Sequence, residues 1–128
     1  MATPASEVPT AAKRSSPESA TAASPAAMRA AFAVMAGLPI ATGGRRIAIL
    51  GDMRELGREG PALHQALRDD LVAAGIDAAY LVGPLMGELF ALLPEKLRAA
   101  HTPDSVAMAA VAPRAIRAGD IVLVKGSL

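Results

Sequence analysis

The chain has 128 residues, a length that suits one domain of ordinary size. Its 13 basic and 12 acidic residues leave a net charge of +1, and only 2% of its residues are aromatic. Because it offers neither a basic surface nor rings on which bases could stack, we expect no nucleic-acid and no membrane partner. The absence of cysteine excludes disulfide bonds, thiolate catalysis and zinc–thiolate sites.

Residues 1–23 are rich in Ala, Ser, Thr and Pro and contain almost no large apolar side chain. Such a segment cannot bury enough surface to offset its loss of conformational entropy, and we predict that it is disordered. It also lacks the apolar stretch of a signal peptide, and no apolar run in the chain reaches the ~20 residues needed to cross a bilayer. We therefore expect a cytoplasmic protein.

A folded domain is predicted over residues 24–128, and it begins with a helix. Ser24 followed by Pro25 is typical of a helix start, with serine as the N-cap and proline at the first helical position. Gly37 then ends a run of apolar residues at helical spacing. The residues of this run are Met28, Ala31, Phe32 and Met35.

Beyond this helix, short apolar runs alternate with helical patterns. The predicted elements in chain order are a strand at 47–50, a helix at 61–75, a strand at 78–82, a short helix over 85–92, a weakly marked strand near His101, a helix opening at Asp104 and a final strand starting at Ile121. The apolar faces expected on the helices are Leu63, Leu67, Leu71 and Val72 for 61–75, and Val106, Ala110 and Val111 for the helix after Asp104.

This alternation is typical of a parallel sheet that is covered by helices on both faces. The predicted fold class is therefore α/β, with a Rossmann-like parallel sheet. No helical pattern follows the last strand, so we expect the final helix of such a domain to be lacking. Without that cover, Val122 and Val124 or their neighbours are expected to be exposed.

Ligands of open α/β sheets bind beyond the carboxyl ends of the strands, where three polar segments of this sequence fall. These segments are residues 51–57, 83–86 and 125–127. Asp52 and Glu55 could orient an ammonium group or a cation. Lys125 and Ser127 could hold a carboxylate or a phosphate. Together they would suit a zwitterionic substrate such as an amino acid or peptide, although a Gly-Asp pair after a strand is also common in plain surface turns.

The sequence lacks the usual signatures of nucleotide and metal sites. Neither G-x-x-x-x-G-K-[ST] nor G-x-G-x-x-G occurs in it. We interpret His64, one residue from Leu63 on the helix at 61–75, as a boundary residue beside the apolar face, and His101 as isolated, so neither is expected to bind a metal. The methionines Met28, Met35, Met86 and Met108 are interpreted as core residues. The residues alone predict a ligand-binding α/β domain without a complete catalytic set.

Four strings occur in the order and approximate spacing of one known family. They are RRIAILGDMRELG, GPALHQAL, YLVGPLM and GDIVLVKGSL. Residues 24–128 thereby resemble the C-terminal domain of the Mur ligases of bacterial peptidoglycan synthesis. The similarity is greatest to the ligases that join D-alanyl-D-alanine to UDP-MurNAc-tripeptide, and ASPAAMRAAFAVMAG is similar to the first helix of their domain.

The resemblance implies a three-domain enzyme in which ATP and Mg²⁺ convert the tripeptide carboxylate to an acyl phosphate. The amine of D-alanyl-D-alanine then attacks, while the C-terminal domain places the dipeptide and closes over the nucleotide. On this basis the residues expected to bind substrate are Asp52, Met53, Glu55, Lys125 and Ser127. Arg54 and His64 would lie in or behind the same cleft, and Ser24 and Pro25 would mark a hinge near the nucleotide.

The sequence departs from the family pattern in ways that limit the expected activity. Thr21 and Ala22 stand where the family's hinge has tyrosine and asparagine, and both the ATPase domain and the helix after KGS are absent. We therefore expect no catalytic residue, metal ligand, ATP or Mg²⁺ on this chain alone. Activity would require the family's amino-terminal and central domains as partners. The alternative is a stand-alone, non-catalytic binding or interaction module derived from the same fold.

Overall fold

The computed structural model describes residues 24–126, so the predicted disorder of residues 1–23 and the position of Ser127 lie outside it. Its strands are β1 (Arg46–Gly51), β2 (Ala78–Val82), β3 (Arg98–Thr102) and β4 (Ile121–Lys125). Its helices are α1 (Pro25–Gly37), α2 (Gly60–Ala73), α3 (Pro84–Leu92), α4 (Ser105–Ala109) and α5 (Ala112–Ala115), with short 3-10 turns at Gly57–Glu59 and Glu95–Leu97. The strands form one sheet in the order β3-β2-β1-β4.

All neighbouring strands in this sheet are parallel, and β1 pairs with β2 on one side and β4 on the other. Gly51 at the end of β1 is opposite Val82, and Leu50 is opposite Lys125. Val82 is in turn opposite Thr102 at the end of β3. The four carboxyl ends therefore lie at one edge of the sheet, which confirms the predicted Rossmann-like α/β fold and brings the loops after them together.

Helices cover both faces of the sheet, as predicted. Side chains of α1, α2 and α3 form the larger core cluster with one face, and Phe32 and Leu67 are buried in it. Met108 of α4 and Ala112 of α5 pack against the other face. The methionines predicted as core residues are buried: Met28, Met35, Met86 and Met108. Within residues 24–126, no helix combines the length and the apolar surface that a membrane span requires.

The apolar faces of two helices differ from the prediction. Val72 is 46% exposed, because α2 turns a neighbouring stripe of residues to the core. This stripe consists of Gly60, His64, Leu67 and Leu71. Val106 is 80% exposed. Since α4 has only 5 residues, the positions predicted as one helical face fall on separate segments, and Met108 and Ala112 are buried instead.

The last strand agrees only in part with its predicted exposure. Val124 is 43% exposed, as expected. The predicted exposure of Val122 is wrong, because Val122 belongs to the same buried cluster as Met108 and Ala112. The short helices α4 and α5 thus cover the start of β4 and leave its end open.

Both ends of α1 are fixed by side chains. Ser24 Oγ accepts a hydrogen bond from the N–H of Ala27 at 3.1 Å, and Pro25 occupies the first turn. At the other end, the guanidinium of Arg46 donates to the carbonyl oxygen of Leu38 at 2.9 Å. A cation near the carboxyl end of a helix interacts favourably with the helix dipole. This contact ties α1 to the start of β1.

A buried ion pair joins the starts of β1 and β4, at the edge of the sheet opposite the loops described above. Asp120 is 1% exposed and accepts hydrogen bonds from the Arg45 guanidinium at 2.7 and 3.2 Å. The backbone N–H groups of Arg45 and Arg117 donate to it at 3.1 and 2.8 Å. Burial alone would raise the pKa of Asp120, but the hydrogen bonds and the charge of Arg45, with the Arg117 N–H, outweigh burial and lower it.

We expect Asp120→Asn to lower the free energy of unfolding by about 2–3 kcal/mol at neutral pH, because the partly exposed Arg45 cation loses its partner. The folded-state pKa of Asp120 lies below the unfolded value. Its contribution is therefore present above about pH 4 and is lost as the pH falls through the folded-state pKa.

Urea unfolding of both proteins between neutral and strongly acidic pH measures this contribution, and the two stabilities should converge in acid. Asp69→Asn is the control, because its carboxylate is 87% exposed and the exposed pair that it forms should contribute less than about 1 kcal/mol. If wild type and Asp120→Asn differed in free energy of unfolding by the same amount at every pH, the proposed role of the charge would be contradicted.

Candidate functional site

A cleft of about 500 Å³ opens at the carboxyl edge of the sheet, between the loops that follow β1, β2 and β3. Its walls are residues 52–57 with Gly60, residues 82–85 and residues 103–105. Two of these loops are the ones that the sequence predicted beyond the ends of the first two strands. The structure therefore brings them together on one open, solvent-accessible surface.

The residues that line the cleft carry more negative than positive charge. They include the carboxylates of Asp52, Glu55 and Asp104 and the guanidinium of Arg54. Asp104 also begins α4, where its carboxylate accepts a hydrogen bond from the N–H of Ala107 at 2.9 Å. Coulombic attraction favours a cationic group over an anion in such surroundings. The ammonium-binding role of the first loop stays a prediction.

Asp52, in the loop after β1, holds the start of α3, which follows the neighbouring strand β2. Its carboxylate oxygens accept hydrogen bonds from the backbone N–H groups of Leu85 at 3.2 Å and Met86 at 2.8 Å. Gly83 precedes this helix with a φ of +106°, and a Cβ there would lie 2.5 Å from the Asp52 carboxyl carbon. Since glycine cannot cap the helix with a side chain, Asp52 takes that role.

Met53 is part of the cleft wall but is almost fully buried, and His64 lies behind it. The Met53 side chain is 1% exposed and belongs to the larger core cluster, so it presents almost no surface to a ligand. The backbone N–H of Met53 donates to Nε2 of His64 at 2.8 Å. His64 is itself 0% exposed. The interpretation of His64 as a boundary residue is therefore wrong, whereas its placement behind the predicted loop agrees with the structure.

Arg54, Glu55 and Gly57 are the exposed residues of the first loop, and of these Arg54 and Glu55 carry charge. Glu55 has a φ of +62°, in the left-handed region that favours glycine. A residue with a Cβ pays about 1–2 kcal/mol for this conformation. Leu56, the next residue, is partly buried against the core cluster. The loop therefore turns sharply at Glu55, between Met53, which is hydrogen-bonded to His64, and Leu56, which packs against the core.

Lys125 lies next to the cleft but is not among the residues that line it. Its side chain is half-buried, and burial lowers the pKa of its ammonium group. Gly126 has a φ of +106°, and a Cβ there would overlap the backbone of Gly51. Gly126, which follows β4, thus packs directly on the last residue of β1, while Ser127 lies outside the described residues.

Ser24 and Pro25, which were expected near a hinge, begin α1 and do not line the cleft. The Ser24 hydroxyl has a local role as the N-cap of that helix. Thr21 and Ala22, which stand at the family's hinge positions, lie outside the described residues. The hinge assignment stays a prediction.

One wall of the cleft, residues 103–105, was not predicted from the sequence. It follows β3, whose sequence RAAHT is neither continuously apolar nor alternating. His101 of this strand donates from Nε2 to the carbonyl oxygen of Gly83 at 2.7 Å. The parallel sheet itself was a signal for this wall. A third parallel strand beside β2 has its carboxyl end at the same edge as β1 and β2, so the loop after it has to reach the cleft. Recognising β3 would have placed Asp104 at the cleft.

The N-terminus of α3 does not offer a phosphate site. The carboxylate of Asp52 already occupies the N-terminus of α3, where other α/β proteins bind phosphate, and would repel an anion there. Among residues 24–126, no group of three histidine, aspartate or glutamate side chains is arranged to bind a metal.

The fold and sequence resemble those of known ligases. The family model described as "Mur ligase, glutamate ligase domain" matches residues 19–128. The MurF ligase from Thermotoga maritima, determined in complex with ADP, matches with a TM-score of 0.63 and 24% identity, over 80% of this chain and 22% of that one. MurF from Acinetobacter baumannii matches with a TM-score of 0.62 and 25% identity, over 80% of this chain and 23% of that one. The chain thus spans less than a quarter of either structure. No curated protein matches its sequence.

We expect Asp52→Ala to loosen the start of α3. Loss of a helix cap costs about 1 kcal/mol, and hydrogen exchange of the Leu85 and Met86 amides should accelerate because both lose their acceptor. Ser24→Ala removes the cap of α1 and is the matched control, which should affect the Ala27 amide instead. Unchanged exchange of Met86 in the Asp52 variant would show that the carboxylate does not hold this helix.

The left-handed backbone at Glu55 predicts an unusual order of two substitutions. Glu55→Gly should be more stable than Glu55→Ala by about 1 kcal/mol, because only glycine adopts positive φ without strain. At Glu88, an exposed position within α3, alanine should instead be more stable than glycine by about 1 kcal/mol. Denaturant unfolding of the four variants measures both differences, and the same order at both positions would exclude the left-handed turn.

Proposed function

Because this chain belongs to the Mur ligase family, we propose that it is the C-terminal, substrate-positioning domain of a ligase that joins D-alanyl-D-alanine to UDP-MurNAc-tripeptide in peptidoglycan synthesis. The family match over residues 19–128 supports the first part of this proposal. Its resemblance to MurF ligases supports the choice of substrates. The ligase would act in the cytoplasm.

The observation that carries the proposal is the acidic cleft at the carboxyl edge of the sheet. The Asp52 carboxylate is engaged by α3 and that of Asp104 by α4. Among residues 24–126, Glu55 is then the lining carboxylate that is not used to cap a helix. It suits the ammonium end of a dipeptide, to which it can offer a charge-assisted hydrogen bond. The Lys125 cation, at the carboxyl end of β4, suits the carboxylate end.

In the proposed reaction, the ammonium of the dipeptide first loses a proton to solvent, and the resulting amine attacks the acyl carbon of the tripeptide acyl phosphate. The nitrogen then loses a second proton to solvent, the carbon–oxygen bond to phosphate breaks, and the amide and free phosphate result. ATP and Mg²⁺ supply the activated acyl group, and in this proposal the central domain of the ligase holds them. The residues of this chain bind the dipeptide and orient its amine. Holding two reactants in the correct geometry removes much of the entropic barrier between them. The chain alone would therefore be inactive.

The partners of the chain in this proposal are the amino-terminal and central domains of such a ligase, together with UDP-MurNAc-tripeptide. A second candidate function is a stand-alone binding module without catalysis. Thr21 and Ala22, which replace the family's hinge tyrosine and asparagine, favour this second candidate. Such a module would bind the dipeptide but would support no turnover with the other domains.

Titration of D-alanyl-D-alanine into the chain, followed by backbone amide NMR, tests the proposed substrate site. We expect shifts that cluster in residues 52–57 and 103–105, and weaker shifts with L-alanyl-L-alanine at the same concentration. Glu55→Gln removes the charge that meets the ammonium and should weaken binding about tenfold.

Glu59→Gln is the matched control for this titration, because Glu59 is exposed, lies in the same segment and does not line the cleft. It should bind the dipeptide as wild type does. The proposal would be contradicted if the dipeptide caused no chemical-shift changes. Equal affinities for the two stereoisomers, together with equal affinities of the two glutamine variants, would contradict it as well.

A further inference from the structure

The two ring nitrogens of His64 bind backbone groups from two different segments. Nδ1 lies 2.6 Å from the carbonyl oxygen of Gly60, one helical turn earlier in α2. Nε2 lies 2.8 Å from the backbone nitrogen of Met53 in the loop after β1. A carbonyl oxygen can only accept and a backbone N–H can only donate. The partners therefore require a neutral imidazole with its proton on Nδ1.

The hydrogen bond to Met53 begins where the pairing of the sheet ends. The N–H of Asp52 still donates to the carbonyl oxygen of Val82, at 3.2 Å. The next N–H, that of Met53, donates to His64 instead. Because a buried N–H without an acceptor is strongly disfavoured, this side chain decides where the backbone of the loop runs as it leaves the sheet.

The loop needs such a fixed point, because Glu55 adopts a left-handed conformation only two residues later. Strained backbone persists when the surrounding structure determines it from both sides. On one side Met53 is held by His64, and on the other side Leu56 packs against the core cluster. The exposed residues Arg54 and Glu55 lie between these two anchors.

We propose that His64 is a positioning residue of the substrate site, which acts through the backbone of Met53 to hold Arg54 and Glu55 at the cleft. His64 touches no substrate, since it is 0% exposed. The proposal deepens the proposed function and rests on it for the identity of the ligand. The anchoring of the loop itself can be measured without any ligand.

Two substitutions separate the two hydrogen bonds of His64. In His64→Gln the side-chain oxygen reaches the place of Nε2 and can accept from Met53. In His64→Asn the shorter amide reaches the place of Nδ1 and can donate to Gly60, but it leaves Met53 without an acceptor. Amide exchange of Met53 should stay close to wild type in the glutamine variant and accelerate about tenfold or more in the asparagine variant.

The affinity for D-alanyl-D-alanine should follow the same order, with the glutamine variant near wild type and the asparagine variant weaker. Leu71→Ala is the control for a loss of stability alone, because Leu71 is buried in the same helix and belongs to its core-facing stripe. It should destabilise the protein while leaving the affinity of the folded form unchanged. The proposal would be overturned if the Met53 amide of the asparagine variant exchanged at the wild-type rate. It would also be overturned if the dipeptide affinity simply followed the free energy of unfolding in all three variants.

A ring spectrum of the wild-type protein gives a further test that needs no variant. Nitrogen-15 correlation of the His64 ring should show a neutral imidazole protonated on Nδ1, and a proton on Nε2 would overturn the proposal even if a variant failed to fold. If the wild-type chain bound no dipeptide, the proposed function would fail by itself. The ring spectrum and Met53 exchange would still decide whether His64 anchors the loop.

Discussion

At the carboxyl edge of the sheet, the chain leaves its strands, and backbone N–H groups there no longer have a neighbouring strand as acceptor. Each such N–H group that is buried without an acceptor would lower the stability of the fold by about 1–3 kcal/mol. Two side chains meet this need. The carboxylate of Asp52 accepts from the start of α3, and the imidazole of His64 accepts from Met53. These bonds fix two walls of the cleft relative to β1 in the absence of any ligand. A site built in this way loses little conformational entropy when it binds.

The opposite edge of the sheet uses charge for a different purpose. The partly exposed Arg45 and the buried Asp120 form a hydrogen-bonded ion pair that joins β1 to β4, and Arg46 binds the carboxyl end of α1. The cleft, in contrast, keeps the carboxylate of Glu55 exposed to solvent. Asp52 and Asp104 at that edge also cap helices, but the buried carboxylate of the Arg45–Asp120 pair lies at the other end of the strands. Substitutions at the two edges should therefore act nearly independently.

Local patterns in the sequence were enough to predict much of the fold. The helix start at Ser24 and the strand at 78–82 were predicted because their signals lie in adjacent residues. The third strand was weakly marked because it is a mostly exposed edge strand, and the cleft wall at Asp104 was missed with it. The roles of Asp52 and His64 depend on partners 33 and 11 residues away. No local pattern contains that information, so the loop was predicted while its anchors were not.

The central claim is that this domain presents D-alanyl-D-alanine to the other domains of a ligase. Reconstitution in trans tests it most directly: the chain is mixed with the separately produced amino-terminal and central domains of a MurF ligase, ATP, Mg²⁺, UDP-MurNAc-tripeptide and the dipeptide. The account predicts that the pentapeptide product forms only when the chain is added. Absence of product although the chain binds the dipeptide would contradict the claim and identify a stand-alone binding module.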